Sequence, residues 1–169
     1  MKNLIRKILK EETNNDSYIV FVAGTNKTGI SHQSQYDAFK NSVGETDKII
    51  KYFNYDDHNG SNSELFKFLE ENMLNVSKLV LFSAGCSLAN KLTPYYIPKL
   101  ITYCIEPWAS KNGKLKWDKM LRYNFYVNDT SWQRGKGAMD DIPEENKNSL
   151  YGKGAHTDAL KDSTKKIFN

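Results

Sequence analysis

The stretch Lys78-Leu-Val-Leu-Phe-Ser-Ala-Gly-Cys-Ser-Leu-Ala-Asn-Lys-Leu92 decides how the rest of the chain is read. A short apolar run ends abruptly in Ser83-Ala84-Gly85-Cys86-Ser87, and a segment with helical spacing follows at once. A continuous apolar run bounded by small residues is what a strand covered on both faces looks like. A strand that turns directly into a helix through Ser, Ala and Gly needs side chains small enough for the two elements to come close. Working outward, the same grammar recurs on both sides of this corner.

Upstream, Tyr18–Val22 is another apolar run, and it ends in Ala23-Gly24-Thr25-Asn26-Lys27-Thr28-Gly29, a loop of glycine and small polar residues. Tyr36, Phe39 and Val43 then share one helical face, with Gly44 placed to end the helix. Lys48–Tyr55 reads as a strand closed by the turn cluster Asp56-Asp57-His58-Asn59-Gly60. Ser61 and Glu64 form a capping box for the next helix, whose inner face carries Leu65, Phe68, Leu69 and Met73. Downstream of the corner, a short helix stops near Pro94, and Leu100–Ile105 is a strand ending at Glu106-Pro107-Trp108. After a polar, lysine-rich excursion from Ser110 to Lys119, Arg122–Val127 is the last strand and delivers Asn128-Asp129-Thr130 at its end. Residues 133–154 lack periodicity and carry Gly-Lys-Gly-Ala at Gly135–Ala138 and again at Gly152–Ala155. They read as a long loop or lid, since structureless segments of that length in compact domains are usually functional. A final helix follows His156, with Leu160, Ile167 and Phe168 inward. Strands alternating with helices predict an α/β protein: a three-layer sandwich with a mostly parallel sheet of about five strands and helices on both faces.

The chain has 169 residues, which suits a single domain over 1–169. Residues 1–16 have Leu4, Ile5, Ile8 and Leu9 on one side and predict an N-terminal amphipathic helix, packing on the domain or touching a membrane surface or partner. The net charge of +4 is spread along the chain with no basic stripe, so a nucleic-acid partner is not expected. No apolar run is long enough for a transmembrane segment. Two cysteines, Cys86 and Cys104, lie in or beside apolar runs and read as buried thiols of a reducing compartment, so a cytoplasmic location is expected.

In a parallel sheet of this kind ligands gather at the carboxyl ends of the strands. The chemistry-bearing residues predicted there are Ser83, or Ser87 one turn on, then Asp129, then His156. A serine hydroxyl becomes a nucleophile when a histidine takes its proton and a carboxylate holds that histidine. The order Ser, Asp, His, with the serine on a strand-turn-helix corner and the histidine before the last helix, resembles the α/β-hydrolase superfamily in a minimal version without a cap domain. The elbow departs from the family's Gly-x-Ser-x-Gly: Leu81-Phe-Ser-Ala-Gly85 has only the second glycine, and Gly85-Cys-Ser-Leu-Ala89 only the first. The chain is also similar to phage-encoded proteins that share a strand ending Leu-Phe-Ser-Ala-Gly, a Glu-Pro-aromatic segment and a Gly-x-Gly-x-His-like element such as Gly152–His156.

The resemblance implies acyl hydrolysis of a small-molecule, ester or peptide substrate without a cofactor. Ser83 is then the nucleophile, His156 the base and Asp129 its orienting carboxylate, with Thr25 and Ala84 amides as the oxyanion hole. It implies the host cytoplasm or the virion as the location. The plainer readings are a serine that a tight turn requires, a turn-forming Asp129 and a helix-capping His156, in a non-catalytic phage structural or host-interaction protein that keeps the fold. Asp158 is a second candidate carboxylate, and Cys86 with His156 a second nucleophile pair. Asp56, Asp57 and His58, with His32 or His156, have no recognised metal-ligand spacing, so no metal is expected. The two Gly-Lys-Gly-Ala segments lack the spacing of a phosphate-binding loop.

Overall fold

The computed structural model describes residues 18–26, 29–58, 64–92, 101–107, 123–128, 147–150 and 156–169. The N-terminal helix expected over 1–16, Ser61 of the capping box, the excursion 110–119 and most of 133–154 lie outside the described residues.

Six strands form one sheet: β1 (Tyr18–Ala23), β2 (Ile49–Asn54), β3 (Val76–Phe82), β4 (Ile101–Ile105), β5 (Tyr123–Asn128) and β6 (Lys147–Leu150). The order across the sheet is β2-β1-β3-β4-β5-β6, and every pair is parallel. The count exceeds the expected five because β6 lies inside the segment read as a loop. Its sequence, Lys-Asn-Ser-Leu, has neither an apolar run nor alternation, and it occupies an edge where only one neighbour has to be matched.

Helices α1 (His32–Val43), α2 (Tyr55–His58, a single turn), α3 (Glu64–Asn72), α4 (Ala89–Leu92) and α5 (His156–Phe168) complete the described elements, with 3₁₀ turns at Met73–Asn75 and Ser83–Leu88. Ser31 caps α1 by accepting from the Ser34 N–H at 3.1 Å, and Gly44, at φ 75°, takes the left-handed position that ends it. Alternate residues of the inner strands feed two cores. On one face Val20, Val22, Leu79, Leu81 and Cys104 pack with Leu65, Leu69 and Met73 from α3 and the 3₁₀ turn after it. On the other, Ile19, Phe21, Val80, Phe82, Tyr103 and Ile105 pack with Ala38 and Phe39 of α1 and Ala159, Leu160 and Ile167 of α5. Phe21 and Phe39 stack at 4.2 Å, and Phe168 meets Phe39 edge-on at 5.9 Å. The result is a three-layer α/β sandwich. β1 and β3 are non-consecutive neighbours from which the chain winds in opposite directions, so the crevice outside their carboxyl ends is the switch point of the fold.

Candidate active site

Both loops that leave the switch point are forced by close packing. The loop after β3 opens at Ser83, whose φ of 52° is left-handed, a conformation that costs a non-glycine residue about 1–3 kcal/mol. Beside it, a Cβ on Gly24 would stand 2.8 Å from Ser83 Cβ and 3.2 Å from Ser83 Oγ, so the loop after β1 passes against the serine with no room for a side chain. A Cβ on Gly85 would stand 2.8 Å from the Val22 carbonyl and 3.0 Å from that of Ala23, because the corner folds back over the end of β1. Gly85 is thus required by close packing, at the place where Gly-x-Ser-x-Gly has its second glycine. The first glycine's place is held by Leu81, which is buried in the α3 face of the core and meets no such constraint.

The corner continues as a 3₁₀ turn, Ser83–Leu88, before α4 begins, where the sequence predicts an immediate helix. This separates the two candidate serines. Ser87 donates its hydroxyl to the Ala84 carbonyl at 2.8 Å, an ordinary back-bond within the turn. Ser83 sits on the corner itself, 7% exposed, and among the described residues its hydroxyl has no hydrogen-bond partner. Ala84, the residue after it, is fully buried.

Cys86 does not fit an activated thiol. It is fully buried and points back into the fold, its Sγ 3.2 Å from the Leu81 carbonyl and 3.7 Å from that of Ile105. Burial first, then the neighbouring Cys104, push its thiol well above the usual cysteine range, which overrides any help from the nearby turn.

Asp129 lies outside the described residues; it follows Asn128, the last residue of β5. His156 is the first residue of α5. The far end of that helix lies near the start of β3, where Lys78 Nζ stands 5.5 Å over the Phe168 ring, and Ala159 and Leu160 share one cluster with Phe82 and Ile105, the last residues of β3 and β4. Asp158 is exposed and faces Lys161 at 3.9 Å.

Two features are missed by the sequence reading. Glu106 has a φ of 49°, the other left-handed non-glycine residue among those described. Phe82 and Ile105 are register partners, so Ser83 and Glu106 leave adjacent strands side by side. The Glu106 charge also reaches the corner, being one of the groups that raise the Cys86 thiol. The second feature is around Thr25. Its hydroxyl donates to Asp56 Oδ1 at 3.0 Å and the Asn26 N–H to Asp56 Oδ2 at 3.1 Å. His32 Nε2 lies 3.2 Å from the same Oδ2, near enough for an ion pair but out of line for a hydrogen bond. Asp56 and His32, weighed above as metal ligands, are thus used within the loop, and no cluster of three or more metal-ligating side chains occurs among the described residues.

A six-stranded parallel sheet with a strained serine at its switch point defines an α/β protein of hydrolase-like fold. Among solved structures, the chain is similar to the esterase domain of a Rhodothermus marinus protein, with a TM-score of 0.62 at 11% sequence identity, over 93% of this chain and 86% of that one. At that identity the likeness shows the fold. No protein-family model and no curated protein matches the chain, and nothing in the comparisons connects it with phage proteins. No helix among the described residues is long and apolar enough to cross a membrane.

Proposed function

We propose that the chain is a serine hydrolase acting on a small ester or related acyl substrate. The observation that carries this reading is Ser83, held at a φ of 52° where β3 ends at the switch point, with glycine required on both sides of it. A turn that needs only a small residue is satisfied by glycine, which takes this conformation without strain. A serine there keeps the strain and puts a hydroxyl on the corner at the carboxyl end of β3, where a hydrolase carries its nucleophile elbow.

In this reading His156 takes the proton as Ser83 Oγ bonds to the acyl carbon, and the carbonyl electron pair moves to oxygen. The Thr25 and Ala84 amides stabilise that oxyanion. The leaving group departs with the proton from His156, and water repeats the sequence to free the acid and the serine. Asp129 holds the imidazole in the required tautomer. Thr25 and Ala84 follow the ends of β1 and β3, Asp129 comes directly after the last residue of β5 in the sequence, and His156 opens α5, an order along the chain that supports the assignment. The similarity to an esterase domain supports the substrate class.

Fluorophosphonate labelling followed by intact mass and peptide mapping tests it. The expected result is one adduct on wild type and Ser87→Ala, absent from Ser83→Ala. Loss in Ser87→Ala alone moves the nucleophile. No adduct on folded wild-type protein would leave a non-catalytic protein that keeps a hydrolase-like fold.

A further inference from the structure

The connection between β1 and α1 is fastened at both of its ends by two side chains. Gln35, in α1 and 1% exposed, accepts the Gly24 N–H on Oε1 at 2.9 Å and donates through Nε2 to the Ile30 carbonyl at 3.2 Å. Asp56, in the turn after β2, accepts the Thr25 hydroxyl and the Asn26 N–H and stands against His32. The two side chains thus reach Gly24, Thr25 and Asn26 at the start of the connection and Ile30 and His32 at its end. A turn closed by the Gly29 N–H to the Asn26 carbonyl at 3.2 Å lies between.

A plain connector does not need this. Ordering a residue costs backbone entropy, and burying an amide side chain to hold one adds its own desolvation. What the two clamps define is the peptide of Thr25. The amide before it, at Gly24, is held by Gln35, and the amide after it, at Asn26, by Asp56. With both neighbours held, the peptide of Thr25 is fixed from either side, and Gly24 has no room for a side chain against Ser83. The α2 turn that carries Asp56 also packs beside the Ser83–Leu88 corner, so the clamp and the serine share one rigid surround.

From this geometry we infer that Gln35 and Asp56 are positioning residues which hold the Thr25 amide against the oxyanion formed at Ser83. The inference rests on the serine-hydrolase reading above. Donors stabilise a transition state most when they need no reorganisation as charge develops, and a donor displaced by about 1 Å can cost about 100-fold in rate. Asp56 is the better handle because it is at the surface, whereas Gln35 is in the core and its loss endangers folding.

The experiment is steady-state hydrolysis of p-nitrophenyl acetate, with fluorophosphonate labelling rates and thermal unfolding, on wild type, Asp56→Ala, Asp56→Asn and Gln35→Glu. Asp56→Ala is expected to lower kcat and the labelling rate about 10- to 100-fold with KM within about twofold. Asp56→Asn retains an acceptor oxygen and should recover to within about fivefold of wild type. Gln35→Glu keeps an acceptor for the Gly24 amide but loses the donor to Ile30, and should fall between the two. A folded Asp56→Ala with wild-type kcat, or one whose only change is a higher KM, would overturn the clamp while leaving the nucleophile in place. Wild type that neither turns over nor labels overturns the hydrolase reading itself, and the clamp falls with it. The two failures are distinct because the second is read on wild type alone.

Discussion

Strain at Ser83 can be separated from chemistry by substitution. Ser83→Ala removes the hydroxyl but keeps the left-handed backbone, so stability should stay within about 0.5 kcal/mol of wild type while labelling disappears. Ser83→Gly removes both and should raise stability by about 1 kcal/mol in urea titration, since glycine adopts a φ of 52° freely. A Ser83→Gly protein no more stable than Ser83→Ala would mean the corner is not strained. Gly85→Ala should show the reverse, a loss of about 2–3 kcal/mol, because the added carbon meets two backbone carbonyls that cannot move aside cheaply. Gly24→Ala meets the Ser83 Cβ and Oγ as well as the Phe82 carbonyl, so labelling should suffer along with folding. Gly85 could be assigned its role from sequence, since the family pattern places a glycine there. The Gly24 contact and the left-handed Glu106 could not, because both depend on which strands lie side by side.

Among the elements, α1 carries the greatest burden at the site, since it presents Gln35 to the loop and closes one face of the core. Ser31→Ala deletes its N-terminal cap and should cost about 1 kcal/mol, checked by the urea midpoint. Leu160→Ala in α5, a fully buried contact of Phe82's cluster, should cost about 2–5 kcal/mol. Helices of this kind were legible because apolar residues recur on one face and caps mark their ends. The first five strands were legible as apolar runs, with ends within a few residues of those observed. β6 was not, because a four-residue polar edge strand is specified by its neighbour's backbone rather than by its own side chains. Gln35 falls on the buried face of α1 with Ala38 and Phe39, and a polar residue on an apolar face is a readable sign of a buried hydrogen bond. Asp56 reads from the sequence only as a turn residue or metal ligand, since nothing in its neighbourhood announces that Thr25 and Asn26 will reach it from the end of the adjacent strand.

Across the whole molecule, the inner strands β1, β3 and β4 are covered on both faces among the described residues, and that burial governs how the protein responds to alkali. Cys86 is fully buried, and burial, reinforced by Cys104, raises its thiol well above the ordinary 9.0. Tyr52, through burial and the charge of Asp37, and Tyr103, through burial, are raised from 10.0. Each group is neutral in the fold at a pH where the unfolded chain has begun to lose its proton. Between the ordinary and the raised values the native state therefore binds more protons than the unfolded state, and stability falls as pH increases. The urea midpoint should accordingly be flat between about pH 7 and 8.5 and decline steadily above about pH 9. The same burial makes a sharper prediction for the cysteines. Iodoacetamide at about pH 8 should add nothing to the native protein and modify both thiols after unfolding, because only the exposed thiolate reacts. Rapid alkylation of Cys86 in the native state would show that the corner opens to solvent, and a corner that opens could not hold Ser83 in its left-handed conformation.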